Sequence, residues 1–173
     1  ANRTEYSRVS KLFHELLRDA SPVVESVGID EAYVDFTGAT LLPDLDPDPN
    51  LSVAATIAEH VRTRVRSELH IAVSVCIAGS RTTAKVGSDR AKPDGLIEVP
   101  LGHDATFLAS FPIRELPMVG PKLAEALRTA GVATIGDIGA NRYLPCDALI
   151  FAPRRWSWII AQLDGNSRPL VLP

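Results

Sequence analysis

Tyr6, Val9, Phe13, Leu16 or Leu17, and Ala20 recur at helical spacing until Ser21-Pro22, which predicts an amphipathic helix. Val53, Ile57, Val61, Val65 and Leu69 recur every four residues, predicting a second, longer helix that shows Arg62, Arg64 and Arg66 mostly to solvent. Between the helices the period falls to two. Val23, Val24 and Val27 lead in, and Ala32, Val34 and Phe36 alternate with Glu31, Tyr33 and Asp35 on the way out, so Asp30 and Glu31 lie at or beside a turn between two short strands. Ile71 to Ala78 is a β-branched run of buried-strand character. Ser80 is placed to cap a helix reaching Arg90, and Pro93 and Gly95 stop that helix before a short strand at Leu96 to Val99. From Pro100 onward the pattern is wholly helical, with helices expected at His103 to Ser110, Pro121 to Ala130, Thr134 to Ala140 and Arg154 to Leu163, the last capped by Gly165 and using Trp156 for packing. The fold class is therefore α+β. An antiparallel or mixed sheet with helices on one face occupies residues 1–99, and a small all-α domain follows over residues 100–173.

Composition narrows the classes without choosing one. A chain of 173 residues buries one good core or two small ones. No run approaches the roughly 18 apolar residues of a membrane span, and no charged-then-apolar start suggests secretion, so a cytoplasmic protein with no membrane partner is expected. Two cysteines fit that compartment: Cys76 is expected in the core and Cys146 in the last third, neither at metal-ligand spacing. The net charge of −3 is a poor match to a protein that grips nucleic acid, where phosphate neutralisation supplies most of the affinity. With Ala1 first and Met118 the only methionine, a processed chain or an excised piece is expected.

Three places carry candidate chemistry. The adjacent carboxylates Asp30 and Glu31 are reasonable ligands for a cation, but strict alternation sends them to opposite faces, so a turn or bulge must re-aim one of them. On these residues alone, a solvated acidic turn is the leading reading. Lys85, Ser88, Asp89 and Lys92 share one helix face if the helix runs through Ala91, and two lysines there could meet a triphosphate. Their plain reading is solvent exposure, with Lys85 and Asp89 as a minor ion pair. Leu116-Pro-Met-Val-Gly-Pro-Lys122 reads as a hairpin before a helix with proline at its first position. Asp44, Asp46 and Asp48 copy the opening of a calcium loop, but Pro49 and Ala55 stand where glycine and glutamate belong, so a proline-rich surface loop is expected.

Read together, these stretches resemble the Y-family, or lesion-bypass, DNA polymerases of the bacterial polymerase IV type. Gly28-Ile-Asp-Glu-Ala-Tyr-Val-Asp35 resembles the family's second catalytic motif, with Gly28 in place of the usual serine. Ile77 to Gly95 resembles the segment ending Ser-Asp-x-Ala-Lys-Pro-x-Gly, the more specific of the two, and Pro112 to Asp137 resembles the thumb's helix-hairpin-helix. The resemblance implies a partial palm over residues 1–99 and a thumb over 100–173, belonging to a template-directed DNA polymerase that transfers nucleotides from dNTP to a primer 3′-hydroxyl with two magnesium ions. Asp30 and Glu31 would then be catalytic metal ligands, Lys92 and more weakly Lys85 would bind the triphosphate, and Gly120 and Lys122 would offer amides to a DNA phosphate. Glu25, Tyr33 and Asp35 are taken as structural.

Departures from the family pattern matter as well. Met118 replaces the hairpin's usual first glycine, and Pro121 removes one amide donor, which implies a weaker phosphate grip. The third metal-binding aspartate, the fingers and the basic little finger have no counterpart in the chain, so the piece alone is expected to be inactive. Primer-template DNA and dNTP are the implied partners, with the sliding clamp reached through parts missing here. Two other readings are a polymerase-like accessory DNA-binding protein that has lost catalysis, and a palm-fold nucleotide cyclase. The hairpin and the Ala-Lys-Pro segment have no role in the cyclase.

Overall fold

The computed structural model describes residues 2–140, so the helix expected at 154–163, Trp156, Gly165 and Cys146 lie outside the described residues. Two compact units emerge, one of Ala1–Ile77 with Ala91–Ile97 and the other of residues 78–90 with the chain from Glu98 on.

The first unit opens with α1, Arg3–Ala20, where the Asn2 side chain accepts the Glu5 amide and so satisfies one of the helix's orphan donors. Its apolar stripe, Phe13, Leu16 and Leu17, packs with Val61 and Val65 of α2, Val53–Leu69, and with Val24, Ala32 and Val34 of the hairpin. The hairpin strands β1, Val24–Ser26, and β2, Ala32–Val34, pair antiparallel with Val24 opposite Val34 and Ser26 opposite Ala32. Ser21 fastens the start of this hairpin to its end, its hydroxyl donating to the Asp35 carbonyl while accepting from the Val23 amide. Ser52 caps α2 by accepting from the Ala55 amide, and His70 ends the helix in the left-handed region.

The expected strand at 71–78 is shorter than its apolar run: β3 is Val75–Ile77, paired with β4, Leu96–Glu98. Its first residues are diverted to other partners. The Val73 carbonyl accepts from Arg62, and the Ser74 hydroxyl donates to the Ala91 carbonyl. The strands thus form two separate two-stranded ladders, and Cys76, expected in the core, is half-buried on β3.

The second unit contains α3, Arg81–Arg90, started as expected by the Ser80 hydroxyl accepting the Thr83 amide. Next come α4, Asp104–Leu108, a 3-10 turn at Ile113–Glu115, α5, Pro121–Thr129, and α6, Asp137–Ala140. Leu108, Ile113, Leu116, Val119, Ala124, Leu127, Val132, Ile135 and Ile138 form its core with Val86 of α3. Gly131, at φ +85, closes α5 where only glycine is unstrained, and the Val132 amide bonds back to the Leu127 carbonyl. The helix expected at 134–140 starts three residues later. Thr134 and Asp137 instead cap each other's amides, at 3.3 and 2.7 Å, and Thr134 forms a β-bridge with Pro112. Donation from the Thr134 amide, with its hydroxyl and the Ala133 amide behind it, holds the Asp137 carboxyl below its ordinary value.

Candidate functional site

The loop between β1 and β2 presents Asp30 exposed and Glu31 half-buried. The amides of Val27 and Gly28 both donate to the Glu31 carbonyl, at 2.9 and 3.1 Å, the two-against-one pattern of a β-bulge. The bulge lies at Val27 and Gly28, just ahead of the acidic pair. The Ser26 hydroxyl adds a bond to the Gly28 carbonyl at 3.2 Å. A Cβ built on Gly28 would meet nothing nearer than the Asp30 carboxylate at 3.8 Å, so the serine of the family pattern would fit here. Beyond β2, the Thr37 hydrogen bonds lower the Asp35 carboxyl, in keeping with a structural role.

Asp30 and Glu31 offer hard oxygen donors, the chemistry a divalent cation of magnesium type accepts. Among the described residues, no group of three or more His, Cys, Asp or Glu side chains could hold a metal, so this pair needs a further ligand. The aspartates of the proline-rich loop do not supply such a cluster. Asp48 instead accepts the Asn50 amide at 2.8 Å in a local turn.

Lys92 stands differently from the expectation. Helix α3 ends at Arg90, so Lys92 does not continue the face of Lys85, Ser88 and Asp89; it is exposed on the turn that follows, in the first unit. A Cβ on Gly95 would sit 2.3 Å from the Ala91 carbonyl oxygen, and Asp94 adopts φ 51, so the chain folds back on itself between Ala91 and Gly95. Lys85 remains on α3 in the second unit, 3.3 Å from Asp89, the ion pair expected from their spacing.

A residue read as solvent-facing proves central here. Arg62 on α2 is buried, with its side chain only 8% exposed, whereas Arg64 and Arg66 remain partly exposed as expected. Its guanidinium pairs with Glu59, donates to the Val73 carbonyl at 3.2 Å, and reaches both the carbonyl and the carboxylate of Asp94, the latter at 3.0 Å. Arg66 adds bonds of 2.7 and 2.6 Å to the same carboxylate. The Arg66 bonds and, behind them, those from Arg62 hold the Asp94 carboxyl below its ordinary value. The signal was present in the sequence. Arg62 lies four residues after Ala58 and three before Val65, on the apolar stripe rather than the polar face.

In the second unit, Gly120 is the N-cap of α5, Pro121 its first residue and Lys122 its second, all exposed. Nothing lies within 4 Å of a Cβ on Gly120, and no side chain caps this helix start. Met118, where a glycine was expected, adopts φ 68, a left-handed conformation that glycine enters without strain.

A family model described as the impB/mucB/samB family matches residues 1–89. The chain belongs to that family. A second model, the IMS family HHH motif, matches residues 105–132 and so covers the Met118 to Lys122 hairpin of this impB/mucB/samB member. DNA polymerase IV of Dehalococcoides mccartyi strain CBDB1 is 37% identical to it over 177 residues, covering 99% of this chain and 42% of that protein. DNA polymerase IV of Pseudomonas aeruginosa strain PAO1 is 35% identical over 154 residues, 87% of this chain and 42% of that protein. The impB/mucB/samB chain thus spans about two-fifths of the length of these relatives. In fold it matches the crystal structure of DinB from Sulfolobus solfataricus at a TM-score of 0.79 and 23% identity, over 96% of this chain and 47% of the other. The α+β class and the helix-hairpin-helix expected from the sequence agree with these likenesses. No helix among the described residues is long and apolar enough to cross a membrane.

Proposed function

We propose that this chain is the later palm and the thumb, residues 1–99 and 100–173, of a DNA-directed DNA polymerase that extends primers on damaged templates in the cytoplasm. The observation that carries this reading is the bulged acidic loop holding Asp30 and Glu31, in a chain of the impB/mucB/samB family whose relatives are named DNA polymerase IV. Asp30 and Glu31 would hold the catalytic cations, taken as magnesium from their oxygen donors and completed by a ligand beyond this pair. When bound, such ions activate the primer 3′-hydroxyl and neutralise charge on the leaving pyrophosphate.

The chain's own residues supply position. Lys92, exposed on its turn, would meet a triphosphate as a point charge, with Lys85 on α3 the weaker candidate. Gly120 and Lys122 offer amides at the start of α5 to a backbone phosphate of the primer-template, a contact that carries no sequence information. A sliding clamp would engage parts outside this chain.

The test uses the complete polymerase with Asp30→Ala and Glu31→Ala. Each is expected to lower primer extension by at least about 1,000-fold, while primer-template affinity stays within about threefold, because affinity rests on phosphate contacts elsewhere. Normal extension by either variant would remove the catalytic assignment. An inactive wild-type protein that still binds primer-template DNA would favour the accessory reading.

A further inference from the structure

Arg62 aims two of its bonds, to the carbonyl and the carboxylate of Asp94, at one short turn. Replacing a buried ion pair with packed apolar residues is often neutral or stabilising, so the pair itself is weak reason to retain arginine inside α2. What a planar fork alone provides is several directed donors at once. Here they reach Val73 and Asp94, from residues 11 and 32 positions away in the chain, as well as Glu59 on the same helix.

The turn they grip carries Lys92. Its ends are tied to the strand edge: the Ala91 carbonyl accepts from the Ser74 hydroxyl at 3.3 Å, and the Gly95 carbonyl from the Val75 amide at 2.9 Å. Its middle is gripped at Asp94, which Arg62 takes by backbone and side chain and Arg66 by both carboxylate oxygens. Asp94 is also the left-handed residue of this turn, so the bond to its carbonyl fixes the backbone two residues after Lys92.

We infer that Arg62, acting through Asp94, is a positioning residue for Lys92 and fixes the place from which that ammonium meets the substrate triphosphate. This rests on the polymerase reading of Lys92. Arg62 itself touches no substrate. Asp94→Ala removes the side-chain acceptor and the tolerance for φ 51, whereas Asp94→Asn keeps both an acceptor oxygen and that tolerance. Arg62→Lys keeps the charge but loses the fork.

Single-nucleotide incorporation by the complete polymerase tests the inference, with melting temperature followed in parallel. Lys92→Ala is expected to raise the KM for dNTP about tenfold, the scale of one charge-assisted contact. Arg62→Lys and Asp94→Ala should raise KM about three- to tenfold while kcat changes less than about twofold, and Asp94→Asn should recover most of the loss. In a Lys92→Ala background, Arg62→Lys should add nothing further, because its effect passes through the missing ammonium.

An undiminished Arg62→Lys effect in that background, or a fall in kcat and melting temperature with KM unmoved, would overturn the positioning role. So would a normal KM in both Arg62→Lys and Asp94→Ala when Lys92→Ala is impaired, and that result would leave the polymerase reading intact. A normal KM in Lys92→Ala would remove the triphosphate assignment itself, and the positioning role with it.

Discussion

The two connections of the first unit that carry candidate chemistry are built on opposite plans. The backbone of the acidic loop is held locally, by bonds from Ser26, Val27 and Gly28 to Gly28 and Glu31. The Ala91–Gly95 turn is held from a distance, by Arg62 and Arg66 on α2 and by Ser74 and Val75 at a strand edge. A locally held loop loses little when one side chain changes, whereas a cross-braced turn transmits a distant change to its exposed residue. Tolerance and sensitivity are thus properties of the bracing, and both loops can be tested for them.

The largest contrast should come from the two glycines. Gly95→Ala forces a Cβ onto the Ala91 carbonyl at 2.3 Å and is expected to destabilise by about 4 kcal/mol, the range of severe backbone conflicts. Gly28→Ser meets no atom closer than 3.8 Å and should stay within about 0.5 kcal/mol. Chemical denaturation of both variants measures the difference, and equal costs would break the comparison. Next in size, Arg62→Ala removes a buried side chain with its bonds to Glu59, Val73 and Asp94, leaving Asp94 to Arg66 alone, and should cost about 2 kcal/mol, while Asp30→Ala in the exposed loop should cost under about 0.5 kcal/mol.

Acid gives a smaller, directional test. Asp94 is held below its ordinary value of 3.8 by its arginines, so its contribution to stability is fully present above that value and is lost as pH falls through the lower folded value. Melting temperature followed from pH 5 to pH 2 should fall more steeply for the wild type than for Asp94→Asn. Asp137 acts with the same sign and remains in both proteins, so the difference isolates the turn. Parallel curves would mean that the arginines do not stabilise the charged form. The smallest effect belongs to the second unit. Gly120→Asp supplies a side-chain N-cap to α5, so stability should rise by a few tenths of a kcal/mol, roughly the usual gain over a glycine cap. Its negative charge should at the same time weaken DNA binding in a filter or anisotropy assay.

The helices were legible because their stripes are long. Phe13, Leu16 and Leu17 on α1 and Val61 and Val65 on α2 meet in one core, as their spacing implies. The hairpin around Asp30 was legible from alternation, and the bulge only as a requirement, since two amides converging on one carbonyl leave no compositional mark. Lys92 joined the face of Lys85 only on the condition that the helix run through Ala91, and the helix ends at Arg90, as Pro93 and Gly95 implied. Arg62 was misread because three arginines at alternate positions suggest a charged face, although the helical period puts the first of them on the buried side. Partners 11 and 32 residues away decide such a position, and local pattern does not contain them.

Gly95 and Gly120 also bear differently on how the sequence can drift. At position 95 the fold itself forbids a side chain, so natural variation there reports on folding whatever the protein binds. At position 120 the backbone is ordinary, the space is open and most residues could stand there, several with a gain in stability. A lineage that keeps glycine at 120 generation after generation is therefore recording the close approach of something outside the chain.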